Sequence, residues 1–179
     1  MSKIDKSIIA GNFTRCIPEY NAHALVQKKM AQKLCNLIFD DFVFKADGIL
    51  EAGCGTGFLT EILAQHGKNN ITAVDIADCS ACMKELSSAY NIQINFIHND
   101  IEEYIKEAHD PYSAFFSNAA FQWMHDLTSL LSNISARLSK NGMLAFSTFG
   151  PDNLLQVRSL TKSGLHYKSK GEIAELLCD

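Results

Sequence analysis

No stretch of this sequence stays apolar for anything near the ~18 residues that a membrane span requires. The opening, MSKIDKSIIAGN, lacks an apolar core followed by a small-residue cleavage site, so no secretory signal is expected and the chain is placed in the cytoplasm. There are no internal repeats and no low-complexity segment. Six cysteines are present, but Cys16, Cys35, Cys54, Cys79, Cys82 and Cys178 are scattered rather than set in a framework. Cys79 and Cys82 form a C-x-x-C without a second ligand pair or a thioredoxin-like context, so they read as reduced structural thiols and no metal site is expected. The net charge is −4, which argues against a nucleic-acid substrate.

What is present is an ordinary globular composition, 47% hydrophobic and 20% charged, in 179 residues, enough for one domain with a proper core. The charge is uneven. Lys3, Lys6, Arg15, Lys28, Lys29 and Lys33 face only Asp5 and Glu19 in residues 1–33, and residues 154–170 carry Arg158, Lys162, Lys168 and Lys170 with no acid. Such asymmetry either steers an acidic partner to one face or simply marks solvated helix surfaces.

Helical spacing of Ala24, Leu25, Ala31, Leu34, Leu37 and Ile38 predicts a helical N-terminal third up to about Phe44. Short apolar runs then predict strands at 48–52, 71–75, 92–97, 113–117 and 143–148. Helices are predicted between them near 57–66, 79–90, 101–108 and 127–139, then at 152–160 and, after a turn at Ser163-Gly164, at 169–178. The alternation implies an α/β fold with a mainly parallel sheet.

The first strand runs into Glu51-Ala52-Gly53-Cys54-Gly55-Thr56-Gly57 and then a helix. Glycines at such a turn let the backbone approach a ligand and present helix N-terminal N–H groups. A dinucleotide fold requires G-x-G-x-x-G. Here the spacing is G-x-G-x-G behind an acid, and two more acids, Asp75 and Asp100, end or follow the next two strands.

This pattern resembles motif I and its companions in the class I S-adenosylmethionine methyltransferases, which implies a Rossmann-like sandwich and S-adenosyl-L-methionine as cofactor, released as S-adenosyl-L-homocysteine. The resemblance implies that Glu51 lies near the ligand's amino group and that Gly53, Cys54, Gly55 and Gly57 make room for its methionine and ribose. Asp75 is implied at the ribose hydroxyls and Asp100 near the adenine, with Ile76 and Ile101 also in the cofactor site, and Asn118 and Ala119 beside the methyl and substrate pocket. The strings SNAAFQW (117–123) and FSTFGPDNLLQVR (146–158), with Phe13, Tyr20, Ala24 and Gln27, are similar to the malonyl-(acyl-carrier protein) O-methyltransferases of biotin synthesis, whose strings run close to S-N-x-A-x-Q-W and F-S-T-F-G-P-D-T-L-x-E-L-R. Asn153 and Gln156-Val157 depart mildly from that pattern. The family's sheet closes with two strands after the last helix, and no strand pattern follows 169–178, so the sheet is expected to lack its last two strands. On this reading residues 1–46 form a lid, 47–150 the cofactor-binding core and 151–179 substrate-side helices, truncated at the C-terminus, of one domain.

The implied chemistry suits the residues. An in-line methyl transfer needs alignment above all. A malonyl carboxylate with an ordinary pKa of about 4 is already ionised at neutral pH and needs no base. None of the six histidines is assigned as one, although His125 lies near the cleft. The site does need a cation and water-excluding walls: Arg158 as the cation, Phe149 and Tyr20 as walls, with Ser147, Thr148 and Gly150 leaving room for an extended acyl chain. Trp123 reads equally as core or as pocket wall, and Arg158 alone would read as a surface arginine. The implied partner is an acyl carrier protein bearing a malonyl thioester, or malonyl-CoA, with the lysine clusters steering the acidic carrier. A methyltransferase for another small carboxylate or metabolite, and a S-adenosylmethionine-binding protein without catalysis, are the alternatives.

Overall fold

A computed structural model of the chain describes residues 5–41, 48–161 and 164–178. Lys3, Phe44, Lys162 and Ser163 lie outside the described residues, as does the 46/47 boundary of the expected lid. The fold is the expected one. Five strands, β1 (Ile49–Ala52), β2 (Asn70–Asp75), β3 (Gln93–His98), β4 (Tyr112–Asn118) and β5 (Leu138–Ser147), form one sheet in the order β3-β2-β1-β4-β5. Every pairing is parallel, and no antiparallel strand joins β5 among the described residues.

The sequence of β1 and β4 explains their central place. Ile49-Leu50-Glu51-Ala52 is buried throughout, as is most of Tyr112–Asn118, because parallel strands are covered on both faces. Side chains alternate between two cores. Ile49, Ala114 and Phe116 face a core built with α2 (Leu25–Asp41), α3 (Phe58–Gln65) and α4 (Ser80–Tyr90). Leu50, Ala52 and Phe115 face the other, built with α5 (Ile101–Glu107) and α6 (Leu127–Arg137).

Several boundaries differ from expectation. The N-terminal helical run is two helices, α1 (Lys6–His23) and α2, broken at Ala24, whose N–H still donates to the carbonyl of Tyr20. β5 begins at Leu138, five residues before the predicted start at Met143, and the predicted helix ends at Arg137 rather than 139. Leu138 pairs with Tyr112, and the ladder shifts before Met143 pairs with Ala114. Asn141, at φ +64°, marks the irregularity, and an Asn-Gly pair there reads in sequence as a helix stop. The last helices are α7 (Leu155–Thr161) and α8 (Lys170–Cys178), α7 starting three residues late behind a turn at 151–154. No helix among the described residues is long and apolar enough to cross a membrane.

The strand order reverses between β1 and its neighbours β2 and β4, so the loops leaving the carboxyl ends of these strands diverge and open a crevice. α1 closes that crevice from outside. It buries none of its residues fully and contains Pro18 in its interior.

Candidate active site

The crevice encloses a cavity of about 530 Å³. Glu51, Gly53, Cys54 and Gly55 from the β1 turn line it, with Asp75 and Ile76 after β2, Asp100 and Ile101 after β3, and Asn118 and Ala119 after β4. Tyr20 and Phe149 line it too. Of the residues expected there, Gly57, Ser147, Thr148, Gly150 and Arg158 stand outside the lining.

The β1 turn is held by its neighbours. The N–H groups of Gly53 and Cys54 both donate to the carbonyl of Val74, at 2.8 and 3.3 Å. Gly53 has φ +70°, and a Cβ there would come within 2.4 Å of the Ala120 Cβ, so only glycine allows the β1 and β4 turns to meet. Gly57, at φ +95°, serves packing: a Cβ would stand 2.3 Å from Leu86 Cδ1 in α4.

Asp75 is fixed by backbone donors. The N–H of Gly55 donates to its Oδ2 and that of Ala77 to its Oδ1, both at 2.8 Å. Burial pushes its carboxyl above the ordinary value, against the pull of those N–H groups. Each oxygen keeps a lone pair for a further donor such as a hydroxyl. Glu51, 1% exposed, accepts from Thr60 Oγ1 at 2.7 Å. Burial, helped by the charge of Asp75, pushes its carboxyl up to about 8. Two nearly dry acids in one cavity favour a ligand that brings a cation and hydroxyl donors together.

The third acid is already engaged. Asp100 caps α5, its Oδ1 accepting from the N–H of Glu102 at 3.0 Å. Lys6 Nζ from the first turn of α1 donates to both Asp100 oxygens, at 2.8 and 2.6 Å, and also to Glu102. Glu102 further accepts the N–H groups of His125 and Asp126. Burial raises the Glu102 carboxyl, but Lys6 and these two N–H groups outweigh it and hold the group below its ordinary value. Lys6 thus bolts α1 to α5 and to the loop before α6. Sequence reasoning missed Lys6 and Glu102; the pair is separated by 96 residues, and only the cluster of basic residues before position 33 hinted at it.

Aromatic rings close the same side. Phe13 meets Tyr20 edge-on at 4.7 Å, and Tyr20 stacks on Phe58 at 6.0 Å. Burial and the charge of Asp75 raise the Tyr20 phenol, so it stays protonated at neutral pH. Thr56 Oγ1 donates to Asn21 Oδ1, tying the glycine turn to α1.

At the other end the β4 and β5 termini are laced together. Ser147 Oγ donates to Asn118 Oδ1 at 2.7 Å, and the Ala119 N–H donates to the Ser147 carbonyl at 3.0 Å. Asn118 Nδ2 donates to the Gln27 carbonyl of α2, and Thr148 Oγ1 to Gln122 Oε1, both at 3.1 Å. Ala119, at φ +55°, is bent into the left-handed region beside the cavity. Trp123 lines the cavity, as do Asn153, Leu154 and Tyr167. Tyr167, buried before α8, was missed; a lone tyrosine among lysines carries no sequence signal. Arg158 stands behind it, its Cζ 5.4 Å from the Tyr167 ring centre and its Nη1 donating to the Pro151 carbonyl at 3.1 Å.

Comparison with known proteins agrees with this geometry. The methyltransferase-domain family matches residues 49–142. A malonyl-(acyl-carrier protein) O-methyltransferase of Calditerrivibrio nitroreducens is 34% identical over 93% of this chain and 64% of its own length. Another, from Acetivibrio thermocellus, is 38% identical over 92% of this chain and 54% of its own. The chain thus spans between half and two thirds of the length of these curated relatives. Among solved structures, the Burkholderia thailandensis 1,6-didemethyltoxoflavin-N1-methyltransferase, with its substrate and S-adenosylhomocysteine bound, superposes with a TM-score of 0.70 at 18% identity, covering 97% of this chain and 76% of that one, a likeness of fold. The family resemblance carried by the glycine turn and the strand-end acids is therefore borne out: the chain belongs to the methyltransferase-domain family.

Proposed function

We propose that the protein transfers a methyl group from S-adenosyl-L-methionine to the free carboxylate of a malonyl thioester carried on acyl carrier protein, an early step of biotin synthesis, in the cytoplasm. The observation that carries this reading is one cavity with two unlike ends: buried Glu51 and Asp75 at one, Phe149 and Tyr167 with Arg158 behind them at the other. The names of the relatives from Calditerrivibrio nitroreducens and Acetivibrio thermocellus support the choice of acceptor.

The residues present fit the cofactor. Glu51 would take its ammonium, Asp75 its ribose hydroxyls, and Ile76, Asp100 and Ile101 its adenine, while Cys54, Gly55 and Asn118 flank the rest. When bound, the cofactor supplies an electrophilic methyl on sulfur. The chain supplies position and dryness: Tyr20, Phe58 and Phe13 exclude water on one side, and Ala119 and Phe149 leave an apolar approach on the other. No proton has to move, because the acceptor carboxylate is ionised at neutral pH. Arg158 would orient that carboxylate through a charge-assisted contact. Lys28, Lys29 and Lys33, with Lys168 and Lys170, would attract the acidic carrier.

Intact mass spectrometry of malonyl-carrier protein after incubation with S-adenosylmethionine tests the reading. A gain of one methyl on the malonyl form and none on the acetyl form is expected. Transfer to free small acids but never to the thioester, or no transfer by protein that binds S-adenosylhomocysteine, would contradict it.

A further inference from the structure

Helix α7 has no fully buried residue, and Arg158 is the only one of its seven that is even half-buried; Leu155, Val157 and Leu160 all face solvent. A helix that turns its leucines outward and its arginine inward is seated by that arginine. The seat is specific. Gly164 sits at φ +140°, and a Cβ there would come within 2.7 Å of Arg158 Cγ and 3.1 Å of Cδ, so the glycine is a slot for the arginine stem. Beyond the stem, the guanidinium lies over the ring of Tyr167, and its Nη1 donates to the Pro151 carbonyl. Tyr167 in turn meets Phe149 edge-on, ring centres 6.5 Å apart, and both rings line the cavity.

We infer that Gly164 and Tyr167 form a cradle that sets the position of Arg158 at the acceptor end of the cavity, with Tyr167 a positioning residue that determines affinity for an anionic acceptor. The inference rests on the proposed reading that Arg158 meets the acceptor carboxylate. A guanidinium on a solvated seven-residue helix spreads over many rotamers, whereas one slotted beside a glycine and laid on an aromatic face is held directly behind the Tyr167 ring that lines the cavity. The ring, not the phenol oxygen, does this, so phenylalanine replaces tyrosine and leucine does not.

The test uses S-malonyl-N-acetylcysteamine as probe and the whole chain loaded with S-adenosylhomocysteine. Titration calorimetry gives the probe's Kd for wild type, Tyr167→Phe, Tyr167→Leu and Gly164→Ala, and each variant's Kd for S-adenosylhomocysteine is measured separately. Tyr167→Phe is expected within about twofold of wild type, and Tyr167→Leu and Gly164→Ala weaker for the probe by about tenfold, with S-adenosylhomocysteine affinity unchanged in all. Wild-type affinity for the probe in Tyr167→Leu, or equal loss in Tyr167→Phe, overturns the cradle while leaving the proposed function standing. Parallel loss of S-adenosylhomocysteine affinity reduces Tyr167 to a structural role and also overturns it. No binding of the probe by wild type overturns the acceptor reading and the cradle together.

Discussion

The two ends of the cavity are built from different materials. At the end formed by β1, β2 and β3, backbone N–H groups fix carboxylates: Gly55 and Ala77 hold Asp75, and the N–H of Glu102 meets Asp100. At the end formed by β5, α7 and the segment before α8, side chains hold side chains: Tyr167 meets Phe149 and Arg158. Backbone hydrogen bonds within rigid strand ends leave little freedom, whereas around the cradled Arg158 the rest of α7 is exposed and free to rearrange. A fixed end suits a ligand that never varies, and an adaptable end suits the proposed acceptor, which would arrive on a carrier.

Substitutions that attack the fixed end should therefore cost most. Gly53→Ala forces an L side chain to φ +70° and places its Cβ 2.4 Å from the Ala120 Cβ. Affinity for S-adenosylhomocysteine is expected to fall by more than about a hundredfold in calorimetry, as the β1 and β4 turns are driven apart. A loss under about threefold would mean that the turn is not a rigid support.

Glu51 sharpens the comparison through pH. Its folded pKa, about 8, lies above its ordinary value of 4.5, so its contribution to stability is fully present below about 4.5 and is lost as pH rises toward 8. Glu51→Gln removes that loss: its melting temperature relative to wild type is expected to climb across this window, by more than about 4 °C by pH 8 in the absence of ligand. At pH 7 wild-type Glu51 is still protonated, so taking up the ligand's ammonium should release a proton. Calorimetry in buffers of different ionisation heats should detect that release in wild type and not in Glu51→Gln.

Much of the fixed end was legible because parallel buried strands are short apolar runs, and an acid ending one of them stands out, as at Asp75. The glycine turn was legible because residues 53, 55 and 57 are spaced for a left-handed path, although Gly57 spends its freedom on packing against Leu86 rather than on the cavity. The break at Ala24 was not legible, since neither a proline nor a glycine marks it. Nor was the early start of β5, because Asn141-Gly142 reads as a helix stop and becomes a strand irregularity only when Leu138 pairs with Tyr112. Contacts between distant side chains leave no periodic trace. Lys6 with Glu102, and Tyr167 with Phe149, needed the tertiary structure.

Lys6 belongs to neither end, since it bolts the α1 cover over the fixed one. Lys6→Met should leave the turns intact but loosen the cover. Dissociation of S-adenosylhomocysteine in stopped flow is expected to quicken by about tenfold, with a smaller change in association. The smallest effect is expected at the rim of the adaptable end. Lys168→Glu with Lys170→Glu should slow association of malonyl-carrier protein about threefold at low salt and hardly at all at high salt, as read by surface plasmon resonance.

The most direct test of the contrast is amide hydrogen–deuterium exchange with and without S-adenosylhomocysteine. Strong new protection is predicted in segments 53–57, 75–77 and 100–102 and in α1, while 155–161 and 164–169 exchange as before. Protection of 155–161 and 164–169 with no change at 53–57 would place the cofactor at the wrong end of the cavity and contradict the account.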